Sequence, residues 1–406
     1  MTVEDIRRHF PELSEYVYGK PLVYFDNAAT SQRPDTVISK WNELSVKYNS
    51  NLHRAVHRIA ALATKEYEDT RTAVARYIGA ESEEEIVFTS GTTQSINLLA
   101  FSFGEAFIKE GDEILVTEAE HHSNIVPWKM MCERKGAILK HIEVDEYGKL
   151  NPDTLSTMLT DKVKLVCVCH ISNVLGLVNP VEKIISVCHS KGCPVFVDGA
   201  QGIVHRRVNV CELDCDFYAF SGHKIYAAPG TGVLYGKKKW LQQLPPYMGG
   251  GEMIESVSWS EITYSDSPHK FEAGTQNMAS IPTLVQAFEM ASMMQDSQIE
   301  KEAEAVSRYL KTGLESRGDT VVYGRGDSDK IALYSFTVDG VHHEDLALLL
   351  DKMGIAVRSG QMCAEPLMNR FSVTGMTRIS LAPYNTMQEA EYFLNSLDKA
   401  VKMLRV

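Results

Sequence analysis

PVFVDGAQGIVH, residues 194–205, and CDFYAFSGHKIYAAPGTG, residues 215–232, decide the fold. Each carries a short run of β-branched and aromatic residues without polar alternation, the pattern of a strand buried on both faces. Each run then breaks into glycine-rich punctuation holding one charged group, Asp198 in the first and Lys224 in the second. Two such strands side by side place a carboxylate and an amine at neighbouring carboxyl ends, where open α/β sheets bind ligands. Gly222 and the AAPGTG run at 227–232 hold the lysine on a bend.

Working outward, residues 60–240 alternate helix-like stretches such as ALATKEYEDTRTAVARYIG (61–79) with β-branched runs such as EIVFTS (85–90), EILVTE (113–118) and KLVCVCHIS (164–172). This alternation predicts an α/β domain with a mostly parallel central sheet flanked by helices. Residues 242–280, rich in Gly, Ser and aromatics, predict loops and a hairpin at the domain edge. Helical periodicity returns from about Leu284 to Arg317. The strands TVVYG, IALYSFTV, GIAVRSG and TRISLA then mix with two further helices as a smaller α+β domain.

The chain has 406 residues, 44% of them apolar and 23% charged, enough for a large core. Its 41 basic against 53 acidic side chains give 41 − 53 = −12, and with no basic run a nucleic-acid partner is not expected. No apolar stretch is long enough to span a membrane, and the start lacks the apolar core of a signal peptide, so a cytoplasmic location is expected. The eight cysteines are expected to be reduced. With neither CxxC nor a paired-histidine motif, no metal is expected, and Cys167 and Cys169 read as small hydrophobes on one strand face.

Asp198 alone reads as a helix cap and Lys224 alone as a surface lysine closing a strand. Together they match pyridoxal 5'-phosphate, which needs a lysine for its Schiff base and a carboxylate beside its ring nitrogen. EEIVFTS runs straight into Gly91-Thr92-Thr93 and a helix, which alone reads as a tight glycine turn with a Thr N-cap and in combination with the lysine and carboxylate reads as a phosphate cradle of free N–H groups and hydroxyls. TEAEHHSNIVPW puts His121 and His122 at another strand end. Adjacent histidines cannot share one face, so they have different jobs, one of them stacking on a cofactor or exchanging protons. The plain alternative is a capping turn with Ser123 or Asn124 starting a helix. In GIAVRSGQMCAEPLM (354–368), Cys363 sits among polar and breaker residues with Gly360 as a hinge, as a candidate nucleophile or as a spacer.

In this order the segments resemble the cysteine desulfurases of the SufS type (group II), a branch of the class V aminotransferase superfamily with the fold-type I architecture. The resemblance spans YFDNAATSQRP at 24–34 to SLAPYNT at 380–386, through YNSNLHRAVHRIA, GTTQSINLLA, EHHSNIVPW, HISNVLGLVNP, VDGAQ, DCDFYAFSGHK, FEAGTQN and CAEPLM. It implies a homodimer that binds pyridoxal phosphate and splits L-cysteine into L-alanine and a persulfide sulfur. That sulfur would pass to an acceptor of SufE or SufU type for iron-sulfur cluster assembly. Lys224 then matches the aldimine lysine, Asp198 the partner of the ring nitrogen, Gln201 the donor to the ring hydroxyl and His121 the stacked imidazole. Thr92, Thr93, Ser221 and His223 match the phosphate cradle, with Thr275 reaching in from the other subunit. Asn173 and Arg378, with Arg358, match the holders of the substrate carboxylate, Arg54 and His57 an HR-x-x-H segment near the site's mouth, and Cys363 the persulfide cysteine. The implied division is an N-terminal helical segment, 1–22, packing with the small domain, a large cofactor domain, 23–290, and a small domain, 291–406, carrying the cysteine loop.

One departure stands out. Where the family commonly carries two histidines before the cysteine, this chain has Gln361 and Met362, neither of which exchanges a proton near neutral pH. Rival readings are selenocysteine lyase or an aminotransferase on the same scaffold, and a silent binding subunit. An aminotransferase needs no thiol, so Cys363 argues against it, and Lys224 with Asp198 argues against the silent subunit.

Overall fold

The computed structural model describes residues 2–53, 55–325 and 329–405. A seven-stranded sheet runs in the order Ile86–Thr89, Gly232–Gly236, Phe217–Ser221, Val195–Asp198, Val163–Cys169, Glu113–Thr117, Ile138–Ile142. Gly232–Gly236 is antiparallel to both its neighbours, and the other pairings are parallel. Val195, Val197, Tyr218 and Phe220 enter the core on one face. The intervening Phe196, Phe217 and Ala219 enter the core on the other. Burial on both faces is why these strands read as unbroken apolar runs, each large side chain contributing about 1.5–3 kcal/mol.

The helix Arg58–Ile78 buries Ala60, Ala63, Tyr67, Thr70, Arg71, Val74, Ala75 and Ile78, one stripe at helical spacing. His57 caps its start by accepting the Ala60 N–H, and Gly79, at φ 68°, ends it in the left-handed conformation. The 242–280 region holds the antiparallel hairpin Ile254–Val257 with Ile262–Tyr264. The 284–317 stretch is two helices, Leu284–Met294 and Ser297–Glu315, because Asp296 breaks the run and caps the second through the Gln298 N–H.

A second sheet is antiparallel throughout, ordered Thr320–Val322, Leu333–Val338, Met376–Ser380, Arg358–Gly360. The N-terminal segment touches both parts: Phe10 packs on Tyr226 and on Tyr384, and Arg7 pairs with Glu389 at 2.7 Å. Strand Val23–Tyr24 joins Ile355–Ala356 in parallel. Among the described residues, no helix is long and apolar enough to cross a membrane.

Candidate active site

The parallel strands end together, and their carboxyl ends open onto a cavity of about 240 Å³. Asp198 lies level with Cys169 on one side and Ala219 on the other, so the turns carrying Gln201, Asn173 and Lys224 are neighbours by register. A larger groove of about 820 Å³ lies on another side of Lys224, lined by neither Asp198 nor Thr92 nor Ser221.

At one end is an anion cradle. Gly91, at φ 154° and ψ 173°, adopts a backbone that only glycine takes readily and delivers the chain into helix Thr92–Phe107. Its Cα approaches Gly232 so closely that a Cβ there would lie 2.4 Å away. Ser221 Oγ accepts the Thr92 N–H at 2.8 Å and also pairs with the Thr92 hydroxyl. Thr93 shares a 2.8 Å bond with Ser123, and His223 Nδ1 meets the Thr30 hydroxyl at 3.2 Å. Burial, with Lys224 and Arg33 nearby, pushes His223 down to about 4.

At the centre sit Asp198 and Lys224. Asp198 Oδ1 accepts the Ala200 N–H at 2.9 Å, so the turn-capping role is real but leaves the second oxygen for the cavity. Burial raises the carboxyl, with Ala200 and Lys224 opposing. Burial also lowers the Lys224 amine, opposed by Asp198, and the ammonium has no hydrogen-bond acceptor among the described residues. Gln201 is buried and donates one amide N–H to the Ala28 carbonyl at 2.8 Å.

His121 caps the turn His122–Asn124, its Nδ1 accepting the Ser123 N–H at 3.1 Å, and the helix proper starts only at Val126. That bond assigns its proton to Nε2. Burial, then Lys224, His122 and Arg378, push His121 down to about 4, so it is a neutral imidazole at the cavity wall. Behind it Glu120 is fully buried, accepting from Thr117, Asn124 and the Cys169 N–H. Burial pushes that carboxyl up to about 7.

The other end is cationic. Buried Arg378 donates to Asp26 at 2.9 Å and to the Asn173 carbonyl at 2.8 Å, while its Nε is left without a partner among the described residues. Half-exposed Arg358 lies 3.9 Å from the same Asp26. Asn173 lines the cavity too, its amide donating to the Met362 carbonyl at 2.8 Å. Cys363, exposed, completes this wall.

The structure thus brings Thr92, Thr93, His121, Asn173, Asp198, Gln201, Ser221, His223, Lys224, Arg358, Cys363 and Arg378 to one cavity. Thr275 is not in it and instead lines a separate concavity with Leu52 and Glu252. Arg54 lies outside the described residues. Asp26 and Glu120 escaped the sequence reading, although FDNAAT and EHHSN contain them. Cys211 is exposed as well as Cys363, but lies away from the cavity. His53, Glu68 and His269 come close enough to share a cation. Arg71, however, bonds both Glu68 oxygens, at 2.8 and 3.3 Å, and so competes for the ligand set.

The cavity therefore offers an anion cradle, a buried carboxylate facing a depressed amine, a second anion subsite and a reachable thiol. Residues 23–393 match the family described as Aminotransferase class-V. A probable cysteine desulfurase of Vibrio cholerae serotype O1 is 42% identical over 404 residues, 100% of both chains. Among solved structures, the apo cysteine desulfurase of Thermococcus onnurineus NA1 superposes with a TM-score of 0.92 at 36% identity, covering 99% of each chain. The cysteine desulfurase CsdA of Escherichia coli gives 0.91 at 36%, again over 99% of each. Sequence, fold and cavity agree: the chain belongs to the class-V aminotransferases, within the cysteine desulfurase family of enzymes.

Proposed function

We propose that this enzyme uses pyridoxal phosphate to convert L-cysteine to L-alanine and carries the sulfur as a persulfide on Cys363. The observation that carries the reading is the exposed Cys363 thiol sharing one cavity with the Lys224 amine and the Arg378 guanidinium. The donor set suits the cofactor: the Thr92–Thr93 helix start, Ser221 and His223 for the phosphate, Asp198 for the ring nitrogen, His121 for the ring face and Gln201 for the ring hydroxyl. Bound there, the cofactor supplies an electron sink for chemistry at the amino acid's α-carbon.

The chain's own groups do the rest. Arg378 with Asn173 and Arg358 holds the substrate carboxylate, a contact suited to guanidinium geometry. Lys224, its pKa lowered by burial, takes the proton from the α-carbon. Cys363 Sγ bonds to the substrate sulfur as the carbon–sulfur bond breaks. The proton given up by the thiol balances the one gained by the methyl group of alanine. Neutral His121 is placed to pass protons within the cavity.

The same proposal takes the protein as a cytoplasmic homodimer of the SufS type, divided at about residues 22 and 290, with Thr275 serving across the interface and Arg54 near the site's mouth. Exposed Val257, Trp259, Ile262 and Tyr264 on the hairpin before Thr275 give an apolar surface suited to that contact. The outward Cys363 suits delivery to an acceptor of SufE or SufU type for iron-sulfur cluster assembly. The test is to measure alanine and sulfide from L-cysteine with and without a thiol acceptor. Stoichiometric alanine, stimulated by acceptor, is expected. No alanine from protein loaded with pyridoxal phosphate would overturn the reading.

A further inference from the structure

Met362 and Cys363 carry φ of 54° and 55°, two consecutive non-glycine residues in the left-handed region. Such a pair persists only where its surroundings hold it. Part of the hold is visible in the Asn173 bond to the Met362 carbonyl and in the burial of Met362 with Val174, Leu367 and Met368. The rest comes from one residue 241 positions away in sequence, since 363 − 122 = 241. The His122 main-chain N–H donates to the Cys363 carbonyl at 2.7 Å, and His122 Nε2 accepts the Glu365 N–H at 3.0 Å. Glu365 begins the helix Glu365–Arg370, whose first N–H groups have no acceptor within the helix. Ala364, at the cap position, has no side chain that could supply one.

We propose that His122 is the positioning residue for Cys363, capping the helix after the thiol through its ring nitrogen Nε2 and fixing the strained loop from both sides. The inference rests on the reading of Cys363 as sulfur acceptor. It adds a mechanical link: the turn that presents His121 to the cavity also sets where the thiol stands. The histidine pair thereby divides its work, one ring facing the cavity and the other facing the loop. The side chain needs only an acceptor atom at Nε2, which separates positioning from proton transfer.

The experiment compares His122→Phe, which keeps the ring but removes the acceptor, with His122→Gln, which keeps an acceptor but cannot exchange a proton. Hydrogen exchange of the peptide containing Glu365 is read on the holoenzyme without substrate, together with the rate of persulfide formation after an L-cysteine pulse. The phenylalanine variant should exchange about tenfold faster, the order of one lost hydrogen bond, and form persulfide about tenfold more slowly at unchanged cofactor content. The glutamine variant should stay near wild type in both. If the phenylalanine variant does not fold, His122→Ala is read in the same way.

Unchanged exchange and rate without the acceptor would overturn the proposal. So would a glutamine variant that keeps its protection yet is as slow as phenylalanine, because proton transfer would then be the role. If Cys363 is not the acceptor, Cys363→Ala will release alanine at the wild-type rate, and the sulfur-transfer reading fails separately. In that case the exchange measurement still decides whether His122 holds the loop.

Discussion

Arg358 and Arg378 are direct partners across two antiparallel strands of the small sheet. Like charges placed so are unfavourable, and Asp26, from the segment before helix Asp35–Lys47, lies between them at 3.9 and 2.9 Å. Two guanidiniums against one carboxylate leave net positive charge at the cavity wall, which suits a substrate carboxylate. Arg378→Ala should raise KM for L-cysteine by about 10- to 100-fold, the range for a charge-assisted bond worth ~1.5–3 kcal/mol. Arg358→Ala should cost less, because its side chain is half exposed. Steady-state kinetics on both variants decide this, and equal KM values would remove the carboxylate subsite.

A buried pair anchors the segment before Thr275. Glu272 accepts from Arg71 through both oxygens at 2.7 and 2.9 Å, and from the Phe88 N–H at 2.7 Å. Arg71 and Glu272 side chains are 1% and 2% exposed. Glu272→Ala removes the fully buried partner of this guanidinium, leaving it the partly exposed Glu68 and the Ile86 carbonyl, and should lower stability by about 3–5 kcal/mol. Urea unfolding followed by circular dichroism measures it, and a loss below ~1 kcal/mol would show the pair to be solvated.

Acid should unfold the protein over a defined window. His121, His170 and His223 are each pushed down to about 4 by burial, from an ordinary value of 6.5. Between those values the unfolded chain binds protons at these three histidines that the folded chain does not, so their contribution to stability falls as pH drops from about 6.5 to 4, opposed only in part by buried Glu120, which is pushed up to about 7. His170 faces the Tyr218 hydroxyl at 3.1 Å, away from the reacting groups. His170→Gln should flatten the slope by roughly 2–3 kcal/mol across the window at most. Unfolding midpoints at a series of pH values test it.

Much of the cavity was legible because a buried parallel strand announces its own end: VFVD and FYAFS stop at the residues that matter. Thr92, His121, Asn173 and Arg358 followed from the same punctuation or from the motif resemblance. What could not be read were partnerships across long separations. Asp26 gains meaning only when Met376–Ser380 brings Arg378 beside it, and Arg71 looks like an ordinary exposed helix residue until Glu272 folds onto it. Met362 looked like a missing histidine, and in three dimensions it is an apolar anchor. Thr275 stands apart from the cavity within one chain.

The Gln361–Met362 departure splits into two unequal substitutions. Met362 is buried, so Met362→Ala should cost about 2–5 kcal/mol and release the thiol loop, slowing persulfide formation. Gln361 is exposed and its side chain makes, among the described residues, one 3.5 Å hydrogen bond, to Glu365, so Gln361→His should leave stability within about 0.5 kcal/mol. Parallel unfolding and single-turnover measurements separate the two, and equal effects would deny the anchoring role.

Mass spectrometry of the protein after a brief pulse of L-cysteine, with pyridoxal phosphate bound and no acceptor present, addresses sulfur transfer at its reacting atom. A single added sulfur should appear on the peptide containing Cys363 and on no peptide containing Cys211, the other exposed thiol. Cys363→Ala should retain the cofactor, because Lys224, Asp198 and the cradle are untouched, yet release no alanine. An unmodified Cys363 peptide, together with undiminished alanine release by Cys363→Ala, would contradict the assignment of this thiol as the sulfur acceptor.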